Sequence, residues 1–245
     1  MGCAQALVPL KDLVLAKSRL AGLLRPSERR ALAQAMAEDV LAVLSRHPEI
    51  AGVTLVSDDP GAAPLAARYG VTCWSERALG CAGLNAVVGC ASARLLAAGA
   101  APLLVMHADL PLLSAPDISA VLARQRALDA LVVAPDHLGT GTNLLAFTRD
   151  TVPQFHFGAD SCRRHLAWAE RAGVRSAIVQ RPGIALDVDE PADLAALLAA
   201  LDGGTAAHTG ALLRDTALGA RVELALAGRS QQDTADNRVD TGTQD

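Results

Sequence analysis

The sequence predicts an α/β fold in which helices cover both faces of a mainly parallel sheet. Short β-rich runs alternate with helical runs along the 245-residue chain, which is the pattern of parallel strands joined by crossover helices. Several of the β-rich runs are continuously apolar, as expected for strands that are buried on both faces. With 51% hydrophobic residues, a chain of this length can bury one sizeable core.

Eight short runs are predicted as strands because they are rich in apolar and β-branched residues and are bounded by Gly, Pro or polar residues. The predicted strands are residues 6–10, 53–57, 71–74, 103–107, 130–134, 143–147, 176–180 and 184–188. Between them, helix starts follow from capping residues and from prolines that fit a first helical turn. These starts lie at residues 26–28, 83–85, 114–117, 160–161 and 190–191.

The chain divides into three predicted parts. Residues 1–204 form one domain, and residues 205–228 form a C-terminal extension that is apolar enough to pack against it. Residues 229–245 show no apolar pattern, so we expect them to be disordered.

The composition argues against several classes of protein. A net charge of -4 and only six aromatic residues (two Trp, one Tyr, three Phe) do not fit a nucleic-acid binder. No apolar run reaches the roughly 20 residues of a membrane span, and the N-terminus does not resemble a secretory signal. Five scattered cysteines without a C-x-x-C pair predict reduced thiols, no zinc site and a cytoplasmic protein.

Three cations follow the first predicted strand within nine residues: Lys11, Lys17 and Arg19. Ligands of open α/β sheets bind at the carboxyl ends of the strands. Lys17, as a point charge, and Arg19, as a bidentate fork, therefore suit the triphosphate of a nucleotide. A solvated basic loop is the alternative interpretation.

Carboxylates follow two other predicted strands. Asp109 comes directly after the apolar run 103–107, and Asp187 and Asp189 lie at the end of the run 184–188. In an extended chain Asp187 and Asp189 point to the same face. Two or three converging carboxylates suit a hard cation such as Mg²⁺. For Asp189, an ordinary helix start is the alternative.

Glycine-rich segments supply further candidates. Thr142 lies in the segment 139–143, and Gly158 and Ser161 lie in the segment 157–161 at the start of a predicted helix. Backbone N–H groups and hydroxyls of these segments could bind an anion. A plain turn and an N-cap are the alternatives. Asp58, Gly83 and Asn85 are weaker candidates for nucleotide binding. A turn and helix cap is an equal alternative for Asp58, and a helix cap is the default interpretation for Gly83 and Asn85.

Together these segments resemble the guanylyltransferases of deazaflavin coenzyme (F-420) biosynthesis. The resemblance runs from about residue 6 to residue 201 and rests on the order and spacing of residues 8–11, 16–20, 28–30, 83–85, 109–111, 139–143, 157–161 and 186–191. It implies a single-domain nucleotidyltransferase-like fold, of the nucleotide-diphospho-sugar transferase type, with three layers and a mostly parallel mixed sheet. The homodimer expected for the chain comes from the same resemblance.

The resemblance also implies an activity. GMP would pass from GTP to the phosphate of phosphoenolpyruvate, 2-phospho-L-lactate or 3-phospho-D-glycerate, with release of pyrophosphate and with Mg²⁺ as the cofactor. Lys17, Arg19 and Asp109 would be catalytic, and Asp109, Asp187 and Asp189 would hold the metal. The phospho-acid would bind to Thr142, Gly158 and Ser161, and the nucleotide to Lys11, Lys17, Arg19, Asp58, Gly83 and Asn85.

One position departs from the family pattern. The chain has Ala159 and Asp160 where the family has Pro and Gly, and a carboxylate beside an acid-binding loop would repel an anionic acceptor unless it faces away. All three acids therefore stay open. The rival hypotheses are a nucleotidyltransferase for another substrate, such as a sugar phosphate, and a catalytically silent nucleotide-binding subunit.

Overall fold

The computed structural model describes residues 3–11, 13, 17–201 and 206–239. Within these ranges the strands are β1 (Ala4–Pro9), β2 (Ile50–Val56), β3 (Thr72–Trp74), β4 (Leu103–Met106), β5 (Leu131–Pro135), β6 (Thr142–Phe147) and β7 (Ser176–Ile178). The longer helices are α1 (Pro26–Arg46), α2 (Ala62–Tyr69), α4 (Leu84–Ala97), α5 (Ala115–Leu128), α6 (Ser161–Ala172), α8 (Pro191–Ala200), α9 (Ala207–Arg214) and α10 (Ala217–Val239). Two four-residue helices, α3 (Glu76–Leu79) and α7 (Pro182–Ala185), complete the set.

The strands form one mixed sheet in the order β3-β2-β1-β4-β6-β5-β7. Among the described strands, β6 is antiparallel to its neighbours β4 and β5, and the other neighbouring pairs are parallel. The predicted α/β class and the mostly parallel mixed sheet are confirmed. Because β6 runs against β5, its first residues lie at the same edge of the sheet as the carboxyl ends of the parallel strands.

Successive residues of each strand point to opposite faces of the sheet, which gives three layers. On β1, Ala6 and Val8 belong to the core packed under α1, α2 and α5, whereas Leu7 belongs to the core packed under α4 and α6. On β4, Leu104 belongs to the first of these cores and Val105 to the second. Both faces are covered, which explains why these strands are continuously apolar.

Seven of the predicted strands are present, and the eighth is wrong. Residues 184–188 do not pair with the sheet; instead the short helix α7 covers the first part of this run. A proline in the first turn favours the helix. The amide of Asn143 donates to the carbonyl oxygen of Ile184 (2.9 Å), so a side chain satisfies a group that a strand would have paired with a neighbour.

The predicted reduced state of all the cysteines is wrong for one pair. Cys81 and Cys90 form a disulfide that ties the segment before α4 to the helix itself. Cys3 is exposed, Cys73 is half-buried and Cys162 is buried, and all three are free thiols. None of the described helices is long and apolar enough to cross a membrane.

The C-terminal helices pack against the domain. Leu213 of α9 and Leu218 and Val222 of α10 share a buried cluster with Leu32 and Met36 of α1. The backbone of α10 continues to Val239, whereas the sequence predicts disorder from residue 229. The proposed boundary between residues 204 and 205 and the last residues, 240–245, lie outside the described ranges.

A buried carboxylate fixes the start of α9. Asp39 of α1 accepts hydrogen bonds from the backbone N–H groups of His208 (2.8 Å) and Thr209 (2.9 Å). These groups lie in the first turn of α9, where no partner exists within the helix. Asp39 therefore acts as a cap supplied by another helix, and it joins α9 to α1.

Replacing Asp39 with Ala should lower the free energy of unfolding by about 2 kcal/mol, because a half-buried and a buried N–H group lose their acceptor. Urea unfolding followed by circular dichroism would measure the change. The matched control is Asp150→Ala at an exposed position, for which we expect a change within about 0.5 kcal/mol. Equal effects of the two substitutions would contradict the capping role.

Candidate functional site

A cavity of about 660 Å³ opens at the carboxyl edge of the sheet. Its walls come from the segments after β1 and β4, the β5–β6 connection, the start of α6 and the segment between α7 and α8. This is the edge at which open α/β sheets bind ligands. Nine of the predicted site residues line the cavity: Lys11, Lys17, Arg19, Asp109, Thr142, Gly158, Ser161, Asp187 and Asp189.

Lys17 lies between two carboxylates. Its Nζ donates a short hydrogen bond to Asp109 and a second one to Oδ1 of Asp189 (2.8 Å). Only 6% of the Lys17 side chain is exposed. Burial opposes the charged form, but the two carboxylates outweigh it and raise the pKa of Lys17 above its ordinary value. The ammonium is thus a fixed, largely desolvated positive charge on the cavity wall.

Asp109 keeps its negative charge although its surroundings are poorly hydrated. Burial acts to raise its pKa, but the ammonium of Lys17, assisted by His107, holds the pKa below its usual range. One oxygen, Oδ2, accepts from Lys17, while the other, Oδ1, is buried and has no hydrogen-bond partner among the described residues. A buried carboxylate oxygen without a partner calls for a ligand or an ion.

Asp187 differs from Asp109 in that no cation among the described residues shifts its pKa. Burial raises its pKa, the amide of Asn143 acts against this effect, and the nearby charges of Asp109 and Asp189 add to it. Nδ2 of Asn143 donates to Oδ1 of Asp187 at 3.0 Å. Asp187 is therefore a carboxylate that an incoming cation would stabilise.

The predicted carboxylates share the cavity without meeting at one point. In the part of the chain that the structure describes, no three acidic, histidine or cysteine side chains are grouped closely enough to hold a metal by themselves. Lys17 occupies the space between Asp109 and Asp189. The same ammonium thus separates two of the three predicted metal ligands.

Arg19 lies at a more exposed position than Lys17. Its guanidinium pairs with Oε1 of Glu190 at 2.9 Å, and 67% of its side chain is exposed. Exposed ion pairs of this kind contribute little to stability. The Arg19 guanidinium can therefore readily exchange Glu190 for an anionic ligand.

Another wall of the cavity combines hydroxyl groups with the start of a long helix. The 12-residue helix α6 begins at Ser161, and its first turn presents the positive end of the helix dipole. Gly158 has a φ of 121°, in the region that favours glycine, so any other residue would be strained there. On β6, the hydroxyl of Thr142 contacts Nδ1 of His165 at 3.1 Å. This wall suits an anion.

Asp160, the departure from the family pattern, lines the cavity and forms an ion pair with a residue of its own helix. Its carboxylate pairs with Arg163 at 3.4 Å, and its backbone has a left-handed conformation at the N-cap of α6. The pairing reduces the negative charge that an anionic ligand would meet at this wall.

Three predicted nucleotide-binding residues do not line the cavity. Asp58 accepts a hydrogen bond from Ser75 (2.5 Å) and forms an ion pair with Arg77. These contacts agree with the alternative interpretation of Asp58 as a turn and cap residue. Gly83 is the N-cap of α4. The side chain of Asn85 exchanges two hydrogen bonds with the backbone of Phe157, at 2.7 and 3.1 Å. Asn85 therefore positions the loop that carries Gly158.

Two residues that were not predicted as site residues support the site. Asn143 holds Asp187, and the fully buried His165 holds Thr142. The sequence signal for Asn143 is its place at the end of the candidate segment 139–143, directly after Thr142. For His165 the signal is its helical spacing of four residues from Ser161, which puts both residues on one face of α6.

The chain matches the family described as guanylyl transferase CofC like over residues 4–232. A phosphoenolpyruvate guanylyltransferase of Conexibacter woesei is 42% identical over 213 residues, which cover 85% of this chain and 94% of the relative. A protein of the same name from Nocardia farcinica is 39% identical over 219 residues, covering 89% and 93%. A third, from Chloroflexus aggregans, is 37% identical over 187 residues, covering 75% and 91%.

Two experimental structures share the fold. A Desulfovibrio desulfuricans protein, provisionally classed as a nucleotide-diphospho-sugar transferase, superposes with a TM-score of 0.73 at 18% identity, covering 91% of this chain and 98% of its own. A nucleotidyl transferase of Methanothermobacter gives a TM-score of 0.56 at 18% identity, covering 80% and 96%. At these identities the likeness concerns the fold alone, and it agrees with the predicted nucleotidyltransferase-like architecture.

Proposed function

The chain belongs to the CofC-like guanylyl transferase family, and on that premise we propose that it transfers GMP from GTP to the phosphate of a three-carbon acid. Phosphoenolpyruvate is the first candidate, because the similar proteins carry that substrate in their names. 2-Phospho-L-lactate and 3-phospho-D-glycerate are the other two. The proposal includes a role in coenzyme F-420 biosynthesis and a cytoplasmic location; a homodimer stays a prediction.

One observation carries the proposal: a buried ammonium and a helix start line a single cavity. Lys17, fixed by Asp109 and Asp189, and Ser161, the first residue of α6, both belong to its lining. Two anionic substrates must meet in the reaction, and each of these two groups offers positive potential to one of them.

The proposed reaction is an in-line displacement at the α-phosphorus of GTP. An oxygen of the acceptor phosphate forms the new P–O bond, the bond between the α-phosphorus and the bridging oxygen breaks, and its electron pair leaves with pyrophosphate. The attacking oxygen is already anionic, so no strong general base is needed. Catalysis then consists of positioning and charge stabilisation, for which Lys17 provides a buried charge and Arg19 an exposed one.

We propose that Asp109, Asp187 and Asp189 hold Mg²⁺ together with the phosphates of the substrate. The donor set fits, since Mg²⁺ prefers oxygen ligands and usually takes one or two carboxylates plus substrate phosphates. The unpartnered Oδ1 of Asp109 and the raised pKa of Asp187 support the proposal. When bound, the metal would neutralise phosphate charge.

Pyrophosphate release tests the function. Purified protein with GTP and Mg²⁺ would receive each of the three acids in turn, with glucose 1-phosphate and an acceptor-free sample as controls. We expect release with phosphoenolpyruvate to exceed release with the sugar phosphate by at least about 100-fold. A site that hydrogen-bonds its own substrate strongly rejects a ligand that leaves the polar groups of the site unpaired. Mass spectrometry would identify the GMP-linked acid.

The other outcomes distinguish the rival hypotheses. Release with 2-phospho-L-lactate or 3-phospho-D-glycerate alone would keep the chemistry and change the acceptor. Release with glucose 1-phosphate alone would favour a sugar-phosphate enzyme. Tight GTP binding without release from any acceptor would favour a silent nucleotide-binding subunit.

A further inference from the structure

The ring of His165 is fixed inside the protein by both of its nitrogens. Nδ1 lies 3.1 Å from the hydroxyl oxygen of Thr142, and Nε2 accepts a hydrogen bond from the backbone N–H of His156 at 3.0 Å. The residue is fully buried, and its ring packs edge-on against Phe157 with 5.3 Å between the ring centroids. The ring thus has a single orientation.

These contacts determine which nitrogen carries the proton. Nε2 faces the N–H of His156, so it must be the unprotonated acceptor. A neutral imidazole carries its proton on the other nitrogen, so the Nδ1–H of His165 donates to Thr142. The pKa of His165 agrees with a neutral ring: burial, with the neighbouring His156 and Arg164, lowers it to about 4.

The tautomer in turn determines what Thr142 can offer to a ligand. Its hydroxyl oxygen is occupied as an acceptor, so its own hydrogen is free to donate elsewhere. Thr142 lines the cavity beside Gly158 and Ser161. An anionic oxygen accepts but cannot donate hydrogen bonds, so a hydroxyl fixed as a donor suits it better than a freely rotating one.

Resting on the function proposed above, we propose that His165 is a positioning residue that sets the Thr142 hydroxyl as a donor to the phosphorylated acid. His165 does not line the cavity and acts only through Thr142. Its loss should therefore weaken binding of the acid and leave binding of GTP, which the Lys17 wall serves, unchanged.

A matched pair of substitutions separates the two hydrogen bonds of the ring. The amide of an Asn at this position reaches the place of Nδ1 and can still donate to Thr142, whereas the longer Gln reaches the place of Nε2 and can still accept from His156. Each variant loses one buried hydrogen bond, so similar losses of stability are expected. His165→Gln should raise KM for the acid about tenfold, and His165→Asn should keep it within about threefold of the wild type. KM for GTP should stay constant in both.

A double substitution checks that the effect passes through Thr142. In a Thr142→Val background, His165→Gln should cause no further rise in KM for the acid, because the hydroxyl that it orients is already absent. Equal rises for the Asn and Gln variants, a parallel rise in KM for GTP, or additive effects with Thr142→Val would each overturn the positioning role. Wild-type protein without turnover on any of the acids would instead overturn the proposed function.

Discussion

Replacing Asp109 with Asn is expected to lower kcat at least about 1000-fold, which corresponds to roughly 4 kcal/mol of lost transition-state stabilisation. Asp109 is the carboxylate whose second oxygen is buried and unpartnered beside a fixed ammonium. The substitution keeps the shape of the side chain but removes the charge that would bind the metal and hold Lys17. Pyrophosphate release at saturating substrates measures the loss.

The control for Asp109→Asn is Asp150→Asn, the same chemical change at an exposed position. We expect the control to keep wild-type turnover and both variants to give the far-ultraviolet circular dichroism of the wild type. A Mn²⁺-binding measurement in the presence of GTP adds a readout other than activity. Turnover within tenfold of the wild type, or unchanged Mn²⁺ binding, would contradict the metal-ligand assignment of Asp109.

The sheet could be predicted because its signals are local. Apolar runs such as β4 and β5 are buried on both faces, and their composition reports this burial directly. The helix starts at Pro26 and Ser114 could be predicted in the same way. The backbone N–H and the hydroxyl of Ser114 both donate to the carboxylate of Asp117, and the predicted capping box is confirmed. The prediction of a strand at residues 184–188 is wrong because an apolar run of this length fits either a strand or a short helix. The contact that favours the helix comes from Asn143, which is far away in the sequence.

The polar residues at the strand ends were predictable for the same reason as the strands. Asp109 and Lys17 follow strands whose carboxyl ends share an edge, so the cavity brings them together. Their pairing with each other was not predictable, because a carboxylate and an ammonium 92 positions apart show no mutual pattern in the sequence. Asn85 shows a similar limit: its position fits a helix cap, but its bonds to the Phe157 loop depend on tertiary packing.

The pairing of Lys17 suggests how the site stays stable before a ligand binds. Asp109, Asp187 and Asp189 line one cavity and repel each other, and the raised pKa of Asp187 partly reflects this repulsion. An ammonium between Asp109 and Asp189 offsets it. If the carboxylates bind a metal as proposed, the same ammonium competes with that metal until the triphosphate offers Lys17 another partner.

Replacing Lys17 with Met should therefore have two opposite effects. Turnover should fall by about 100-fold or more, because a preorganised charge on the phosphates is lost. In the absence of GTP, the affinity for Mn²⁺ should rise about tenfold, because the cation that competes for Asp109 and Asp189 is removed. Electron paramagnetic resonance of free Mn²⁺ measures the affinity, and pyrophosphate release measures the turnover.

The control for Lys17→Met is Arg171→Met, which removes one positive charge from the exposed end of α6 and leaves the net charge of the two variants equal. It should alter neither Mn²⁺ affinity nor turnover, since a distant surface charge is screened. A Lys17→Met variant that loses turnover without gaining Mn²⁺ affinity would show that Lys17 serves the phosphates but does not compete for the metal site. A variant with normal turnover would contradict the catalytic role of Lys17 itself.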